Sequence, residues 1–489
     1  MKKTISGVLL ALTAVFALVA CGKKTTTKKE TTKKGTTQKP SGSTTQGGTT
    51  PDKKTGSISF YVWNDEFKTR LNELYPDVDK AEGSKTTLKN GLVINWVQSP
   101  NQSGVYQNSL DVALANDLVD MFCFEADYAT KYVKSNYVAK MADLGLTKDG
   151  ALKNQYKYTQ DIVTNANGDI VGSSWQGTPG IIAYNTAVAD AVWSGVTVAQ
   201  MDEKLSKDKA TFDAAAAEVK TAGKKMIIGT DDWFRVYQNN LSAKMWDGTN
   251  ITIDKQLFQW AKDTKEYATN EYLVSTASGY GLWGGDWGKE MGKNTALCVF
   301  SCPWFTDFCL TGNVKPDVTD GNYGDLGYKA VKGYQSWFWG GTWLTATAKA
   351  AADANIKDTV SDIIKMMTTD TATLKALALK YGDFCNDKPA MDELAGSDEG
   401  NSALFGGQNV IAIYAASVEK ADLSKASDYD QQICENFQNA FRGYFQGSKT
   451  AAAALEAFIT ALEEATSVEE DNIKIATGVT VSGDTITIA

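Results

Sequence analysis

The stretch KNTALCVFSCPWFTDF, residues 293–308, joins a continuous apolar run to a proline and a tryptophan. An apolar run bounded in this way predicts a buried strand. Pro303 suits the first turn of a helix that follows the strand, and Trp304 then stands at the start of that helix. We interpret the stretch as a crossing between two lobes. The alternative is an ordinary core strand followed by an aromatic side chain that packs.

Aromatic side chains are the unusual feature of the composition. The 489 residues include 13 Trp and 20 Tyr but no His. A chain without histidine has no Ser-His-Asp triad, no Cys-His nucleophilic pair and no imidazole metal ligand. The net charge of −9 argues against nucleic acid as a partner. The sequence therefore predicts no cofactor and no metal, in a chain long enough for two or three domains.

The first residues have the features of a processed export signal. Two lysines precede an apolar run, so residues 1–20 are predicted to be a signal peptide. The tetrapeptide Leu18–Cys21 resembles the lipobox of bacterial lipoproteins, which implies lipidation of Cys21 and a lipid-anchored protein on the extracellular face of the bacterial cell membrane. An ordinary signal peptide with an incidental cysteine is the alternative. Residues 21–56 are mainly Thr, Lys and Gly, and this composition predicts a disordered tether.

Three apolar runs alternate with helical patterns directly after the tether. Ile58–Val62, Leu92–Val97 and Leu118–Phe124 have the composition of buried strands. Alternation of strands and helices predicts an α/β fold with a parallel sheet wound in the right-handed sense. In such a sheet the ligand binds beyond the carboxyl ends of the strands.

Polar and aromatic side chains follow each of these three strands. An indole ring can stack on a ligand, and amides and carboxylates can bind its polar groups. Any single set could instead cap a helix or form a turn. The repetition at three strand ends favours a ligand site, and the first candidate residues are Trp63, Asn64, Asp65, Gln98, Asn101, Glu125 and Asp127.

The later part of the chain repeats this combination of tryptophan and polar side chains. Trp175 lies in a glycine-rich entry to an apolar run, and Trp283 and Trp287 belong to a glycine-rich loop. For each tryptophan the alternative is a core position, and for the loop pair it is anchoring of the loop. The further candidate ligand-binding residues are Trp175, Asp232, Trp233, Arg235, Trp283, Trp287, Trp304 and Trp339.

The order of these segments resembles the family 1 extracellular solute-binding proteins, the maltose-binding-protein-like lipoproteins that serve bacterial ABC importers of sugars. The resemblance covers nearly the whole chain after the tether, and it rests on the order of the motifs more than on any one of them. Besides the lipobox and the tether, the segments that show the resemblance are YVWNDEF (61–67), FEADYATKYV (124–133), SSWQGTPGIIAYN (173–185), MGKNTALCVFSCPWFTDF (291–308) and GYQSWFWGGTWLTAT (333–347).

The resemblance implies a periplasmic-binding-protein-like fold, with two α/β lobes joined by hinge crossovers and a ligand cleft between them. It implies an N-terminal lobe of residues 57–175 and 303–347 and a C-terminal lobe of residues 176–302 and 348–489. The implied ligand is a carbohydrate, the implied partners are the permease subunits of an ABC transporter, and the protein is expected to be a monomer without catalytic residues. Indole rings suit the C–H faces of a pyranose, and carboxylates, amides and Arg suit its hydroxyls.

Two other functions stay open at this point. A surface glycan-binding protein without a transport role would need the same side chains. A glycoside hydrolase would need a pair of carboxylates, such as Glu125 with Asp127 or Asp231 with Asp232. The identity and length of the sugar, the pairing of the cysteines and the role of the tail at residues 472–489, which alternates like a hairpin about Gly483, are not decided by the sequence.

Overall fold

The computed structural model describes residues 54–489. The predicted signal peptide, the lipidation site Cys21 and nearly all of the predicted tether lie outside the described residues. In the part of the chain that is described, no helix is both long enough and apolar enough to cross a membrane.

The strands are short and belong to several sheets. They are β1 (Ser57–Val62), β2 (Val78–Glu82), β3 (Lys85–Leu88), β4 (Val93–Gln98), β5 (Met121–Glu125), β6 (Ser173–Ser174), β7 (Ile181–Asn185), β8 (Ile251–Ile253), β9 (Cys298–Ser301), β10 (Tyr328–Val331), β11 (Thr342–Ala346), β12 (Asn401–Ser402), β13 (Gln408–Asn409), β14 (Ile473–Ile475), β15 (Val479–Ser482) and β16 (Thr485–Ile488).

Helices connect and cover these strands. They are α1 (Glu66–Leu74), α2 (Val105–Ala115), α3 (Ala129–Val133), α4 (Lys157–Asp161), α5 (Thr186–Val192), α6 (Val198–Ser206), α7 (Lys209–Thr221), α8 (Phe234–Gln238), α9 (Lys255–Thr269), α10 (Gly285–Met291), α11 (Pro303–Phe305), α12 (Thr311–Val314), α13 (Ala348–Ala352), α14 (Lys357–Thr369), α15 (Thr371–Tyr381), α16 (Lys388–Ala395), α17 (Val410–Val418), α18 (Asp430–Phe445) and α19 (Ala451–Thr466).

The first sheet has seven strands in the order β2-β3-β4-β1-β5-β11-β6. Its centre is parallel, because β1 pairs in parallel with both β4 and β5. This confirms the strand–helix alternation predicted from the sequence. The hairpin of β2 and β3 and the strand β11 add antiparallel pairs, so the sheet is mixed. The sequence pattern missed β2 because its segment, VDKAE, is largely exposed and shows no apolar alternation.

The second sheet is antiparallel and has three strands in the order β10-β7-β9. The apolar run of residues 293–308 supplies β9, which is fully buried. Pro303 then occupies the first turn of α11, as the sequence predicts. A π-helical turn at Thr306–Leu310 joins α11 to α12. We use lobe 1 for the seven-stranded sheet with its helices and lobe 2 for the three-stranded sheet with its helices.

The sheets divide the chain differently from the expected lobe boundaries. β10 lies within residues 303–347, which were expected in the N-terminal lobe, yet it pairs with β7 of lobe 2. α14 lies within residues 348–489, which were expected in the C-terminal lobe, yet it packs on β6 and β11 of lobe 1. The boundary expected at residue 303 rests on a strand followed by proline. That pattern also describes a chain that turns back onto its own lobe, and here α12 packs on α10, which precedes β9.

The C-terminal tail forms two small pairings. β14 pairs in parallel with β8, and β15 pairs with β16 as an antiparallel hairpin. Gly483 lies in the turn with φ +55°, a conformation that glycine adopts without strain. This confirms the hairpin that the alternation of residues predicts. The hairpin packs on α9 and α19 of lobe 2.

Candidate functional site

The carboxyl ends of β1, β4 and β5 lie side by side at one edge of lobe 1. The register pairs Val62 with Gln98, and β5 ends at Glu125 on the other side of β1. Trp63 follows β1 and is half-buried, with its ring 5.4 Å from that of Tyr106 in an edge-on arrangement. The three predicted strand ends therefore form one surface.

Asn64 and Asp65 serve the start of α1 in this structure. The side-chain oxygen of Asn64 accepts a hydrogen bond from the Glu66 backbone N–H at 3.0 Å. Asp65 is exposed and forms an ion pair with Lys68 at 2.6 Å. Asn101 differs, because its side-chain oxygen is buried and has no hydrogen-bond partner among the described residues.

Glu66 is a site residue that sequence reasoning missed. Its carboxylate accepts a hydrogen bond from Gln176 Nε2 at 2.8 Å and lies 3.3 Å from Arg70 Nη2. Burial raises its pKa to about 7, although Arg70 acts in the opposite direction. Asp307 also raises this pKa, and Gln176, which donates to Glu66, lies in the segment between β6 of lobe 1 and β7 of lobe 2. Acidic residues are common in the first turn of a helix, so Glu66 gave no separate signal.

Lobe 2 contributes a group of packed rings that we call the aromatic cluster. Trp304 and Trp339 have centroids 5.2 Å apart, and Phe305 stacks on Trp339 at 5.2 Å. The indole N–H of Trp304 donates to the Trp339 backbone carbonyl at 2.8 Å. Trp339 is buried, whereas Trp304 is half-buried. The members of the cluster are Trp283, Trp287, Trp304, Phe305 and Trp339.

An ion pair joins lobe 1 to the aromatic cluster. The two terminal nitrogens of Arg235 on α8, Nη1 and Nη2, donate to the two carboxylate oxygens of Asp127, at 2.6 and 2.7 Å. The Arg235 guanidinium also lies over the Trp339 ring, 5.7 Å from its centroid. Burial lowers the pKa of Arg235, but Asp127 and Glu125 raise it by more, so the guanidinium stays charged.

Glu125 and Trp304 both approach Gly340. A methyl group built on Gly340 would lie 3.1 Å from Glu125 Oε1 and 3.5 Å from Trp304 Nε1. Gly340 has φ +64°, so both its conformation and the close approach require glycine. Burial and the neighbouring Asp127 raise the pKa of Glu125 well above its ordinary value. A carboxyl group with a raised pKa can donate a hydrogen bond as well as accept one.

Further contacts between the lobes lie near Glu125 and the Asp127–Arg235 pair. Gln107 on α2 donates to Gln431 on α18 at 3.0 Å, and Lys134 pairs with Asp428 at 2.7 Å. Glu435 on α18 is near the Asp127–Arg235 pair, and burial raises its pKa. The lobes are therefore in direct contact at this edge, and the contact is rich in polar side chains.

Several predicted site residues are core residues in this structure. Trp175 is 1% exposed and Trp233 is 0% exposed. The indole N–H of Trp233 donates to Thr264, and that of Trp287 donates to Asp232 at 2.8 Å. Asp232 also accepts from two backbone N–H groups, and burial raises its pKa to about 7. For these tryptophans the packing alternative describes the observed arrangement.

Solved structures with the same architecture match most of the chain. An extracellular solute-binding protein of family 1 matches with a TM-score of 0.66 at 14% sequence identity, covering 84% of this chain and 100% of the other. The chain has the fold of the extracellular solute-binding proteins. This confirms the predicted two-lobed α/β fold. No protein-family model matches the chain, and the search of curated proteins found no similar sequence.

Two further matches with the solute-binding fold were solved with carbohydrates. The GacH receptor of Streptomyces glaucescens, which was solved unliganded and with acarbose, has a TM-score of 0.60 at 14% identity and covers 85% of this chain and 99% of its own. An ABC transporter associated binding protein of B. animalis subsp. lactis, in complex with β-1,6-galactobiose, has a TM-score of 0.59 at 15% identity and covers 86% and 99%.

Two cavities lie outside the aromatic cluster of this solute-binding fold. One of about 680 Å³ lies between α4, α16 and α17, and it contains none of the predicted site residues. A second, of about 40 Å³, is lined by Asp127 of lobe 1 and by Asp430 of lobe 2, so it adjoins the ion pair.

The cysteines of residues 54–489 are unpaired. The six cysteines in that range, Cys123, Cys298, Cys302, Cys309, Cys385 and Cys434, are free thiols. No group of three or more Cys, Asp or Glu side chains within the same range is arranged to hold a metal ion.

Proposed function

We propose that the protein captures a carbohydrate between lobes 1 and 2 and delivers it to the permease subunits of an ABC transporter. One observation carries the proposal. The half-buried ring of Trp304 packs on Trp339, whose ring lies under the Arg235 guanidinium of the Asp127–Arg235 pair, where the two lobes meet. Trp304 Nε1 and Glu125 Oε1 both approach Gly340. An apolar ring face and several hydroxyl-binding groups are thus available in one place.

This combination fits the two kinds of surface that a pyranose offers. The C–H face of the sugar stacks on an indole ring, which is large and rigid. The hydroxyls bind carboxylates and guanidinium groups, and charge-assisted hydrogen bonds are stronger than neutral ones. Asp127 on lobe 1 and Arg235 on lobe 2 are charged groups of this kind. Glu66 and Glu125 on lobe 1 and Glu435 on lobe 2, whose pKa values are raised by burial, add carboxyl groups, so a bound sugar would contact both lobes.

Closure of the lobes follows from this division of the site. A ligand that contacts both lobes stabilises the arrangement in which they meet, because it binds that arrangement better than a separated one. The chain passes from one sheet to the other between β6 and β7 and between β10 and β11, and we propose these segments as two of the hinge crossovers. We therefore propose that the boundaries between lobes 1 and 2 lie in these two segments.

The similar solved structures support a carbohydrate as the ligand class, but they do not identify the sugar that this chain binds. The GacH receptor was solved with acarbose, and the B. animalis protein was solved with β-1,6-galactobiose. We further propose a signal peptide at residues 1–20, lipidation of Cys21 and a location on the extracellular face of the cell membrane, on the pattern of the N-terminal sequence. We propose that the protein acts as a monomer.

Binding without catalysis is the remaining part of the proposal. A glycoside hydrolase needs one carboxyl group as a general acid and a second as a base or nucleophile. Asp127 is engaged by Arg235 through both oxygens, and Asp231 pairs with Arg442 at 3.0 Å. Carboxylates that are held in ion pairs in this way suit the binding and positioning of a ligand.

Titration calorimetry with a panel of sugars tests the proposal. The protein from residue 54 onward is titrated with gluco- and galacto-oligosaccharides, and the mixtures are then assayed for new reducing ends. We expect saturable binding of at least one member without release of reducing ends. No binding to any member would contradict carbohydrate capture, and sustained release of reducing ends would contradict the absence of catalysis.

A further inference from the structure

Carboxyl groups outnumber cationic groups where the two lobes meet. Arg235 is committed to Asp127, because its two terminal nitrogens donate to both carboxylate oxygens. Glu125 on lobe 1 and Glu435 on lobe 2 lie close enough to this pair to act on it and on each other electrostatically. Among residues 54–489, neither Glu125 nor Glu435 forms an ion pair with a lysine or an arginine. The two lobes therefore bring together more negative charge than the boundary balances.

A third carboxyl group faces Asp127 across a small cavity. Asp430 on α18 is 8% exposed, and its oxygens accept hydrogen bonds from the backbone N–H and the hydroxyl group of Ser427. The cavity of about 40 Å³ is lined by Asp127 of lobe 1 and by Asp422 and Asp430 of lobe 2. Lys425, which also lines it, lies 4.0 Å from Asp422. Three carboxylates and one lysine thus face the same space.

The protonation of the buried carboxyl groups reflects this shortage of cations. Burial raises the pKa of Asp430 to about 7, and Asp127 of the other lobe acts in the same direction. Burial and Asp127 also raise the pKa of Glu125 well above its ordinary value, and Arg235 offsets this only in part. A cationic ligand group placed at the boundary would favour the charged forms of these carboxyl groups.

Buried polar atoms without a hydrogen-bond partner are found on both lobes. Asn101 Oδ1, at the strand-end edge of lobe 1, and Gln432 Oε1, on α18, have no partner among the described residues. Gln432 and Glu435 are three positions apart, so they lie on one face of α18. Tyr128, which follows Asp127, is 3% exposed, and its hydroxyl group likewise has no partner in the described part of the chain. An ammonium group carries three N–H donors and no acceptor, so it suits oxygen atoms of this kind.

We propose that the ligand is an amino sugar, whose ammonium group binds at the lobe boundary where Glu125, Asp430 and Glu435 lie around the Asp127–Arg235 pair. This inference rests on the proposed function, because the amine binds within the same site. Hydrogen bonds from an ammonium group to carboxylates are charge-assisted and roughly twice as strong as neutral ones. A sugar that carries a carboxylate or a phosphate meets like charge here, and Arg235 is already engaged by Asp127. The site therefore selects sugars by their charge.

Sugars that differ mainly in charge test this assignment. Titration calorimetry at neutral pH compares β-1,4-linked di- and trisaccharides of glucose, glucosamine, N-acetylglucosamine and glucuronic acid, together with the corresponding galacto series. The N-acetyl sugar is the matched control, because acetylation removes the positive charge from the same nitrogen. In the series that binds, we expect the amino sugar to bind about tenfold or more tightly than both the neutral parent sugar and the N-acetyl sugar. The uronic acid should bind most weakly.

Variants that remove one charge locate the preference within the site. Glu125→Gln and Glu435→Gln nearly keep the size of the side chain, and each should lower the preference for the amino sugar over its N-acetyl counterpart by about threefold or more. Glu464→Gln is the control for net charge, because Glu464 is an exposed carboxylate on α19. This variant should leave the preference unchanged. Thermal unfolding checks that each variant is folded, and either site variant alone suffices for the comparison.

Three results would contradict these expectations. Equal affinity for the amino and N-acetyl sugars, or tighter binding of the uronic acid, would overturn the inference while leaving carbohydrate capture intact. An equal loss of preference in Glu464→Gln and in the site variants would show an effect of net charge, and it would overturn the assignment to the lobe boundary. Failure of the parent protein to bind any of these sugars would instead overturn the proposed function.

Discussion

Trp304 is the side chain on which the proposed sugar contact depends most. It is half-buried, its indole N–H is satisfied by the Trp339 carbonyl, and it approaches Gly340 together with the Glu125 carboxyl group. We predict that Trp304→Ala weakens carbohydrate binding by about tenfold or more, because a stacking face is lost. Titration calorimetry measures the affinity, and thermal unfolding checks the fold.

Trp193→Ala is the matched control for this substitution. Trp193 is also half-buried in lobe 2, but it follows α5 and interacts with Glu218 and Lys204. It should leave the affinity unchanged. If Trp304→Ala unfolds the protein, or if both variants weaken binding equally, the ring of Trp304 is a packing residue and the site lies elsewhere.

The Asp127–Arg235 pair should contribute to contact between the lobes. Its side chains are 15% and 17% exposed, and the pair is bidentate. We predict a coupling free energy of about 1–3 kcal/mol in a double-mutant cycle of unfolding with Asp127→Ala and Arg235→Ala. The pair Lys157–Asp161, whose lysine is 81% exposed, should give less than about 0.5 kcal/mol in the same cycle. Equal coupling in both cycles would argue against a role for the buried pair.

Glu66 should make stability depend on pH. Its folded-state pKa is about 7 against an ordinary value of 4.5, so the folded state binds a proton that the unfolded chain has already released. The stabilisation is therefore present below about pH 4.5 and is lost as the pH rises through about 7. We predict that Glu66→Gln is more stable than the parent by about 1–3 kcal/mol at alkaline pH, with a flatter profile.

Denaturant unfolding across this pH range measures the effect. Asp65→Asn changes an exposed carboxylate one position earlier in the chain and should leave the profile unchanged. A parallel profile for Glu66→Gln and the parent would show that Glu66 does not hold its proton in the folded state.

Among the elements, the segment between β6 and β7 leaves no room for a side chain at Gly180. A methyl group built on Gly180 would lie 2.0 Å from ring atoms of Trp337, which is itself 1% exposed. We predict that Gly180→Ala destabilises the protein by about 1–3 kcal/mol, because the buried ring cannot move aside. Gly312→Ala is the control, since a methyl group on Gly312 in α12 meets nothing within 4 Å. It should be neutral or stabilising by up to about 1 kcal/mol.

Sequence patterns predicted strands that bury apolar side chains on at least one face. β1, β4 and β9 are apolar runs, and Pro303 fixes the start of the helix after β9. Exposed β2 has no such pattern and was missed. The passage between the sheets could not be predicted in the same way, because local patterns do not reveal which sheet a strand will join.

Local patterns predicted the candidate site only in part, because they do not show which side chains pack in the core. The pattern of strand ends predicted that Trp63, Glu125 and Asp127 lie at one edge of the sheet, since the ends of parallel strands meet there. It could not separate Trp304, which lies at the lobe boundary, from Trp233, which is in the core. Both tryptophans follow an apolar run of the sequence, and only tertiary packing distinguishes them.

At the scale of the whole molecule, the proposed site belongs to neither lobe alone. Lobe 1 supplies Glu66, Glu125 and Asp127, and lobe 2 supplies Arg235 and the aromatic cluster. The cavity of about 680 Å³ lies elsewhere, between α4, α16 and α17. A ligand bound at the lobe boundary and a ligand bound in that cavity would therefore protect different parts of the chain.

Hydrogen–deuterium exchange, with and without a saturating oligosaccharide identified by titration, separates these cases most directly. A sugar held between the lobes should slow exchange at residues 63–66, 125–128, 303–308 and 431–435 together, because both lobes contact it. Protection confined to residues 156–161 and 388–392, or protection of one lobe alone, would contradict capture of a carbohydrate between the two lobes.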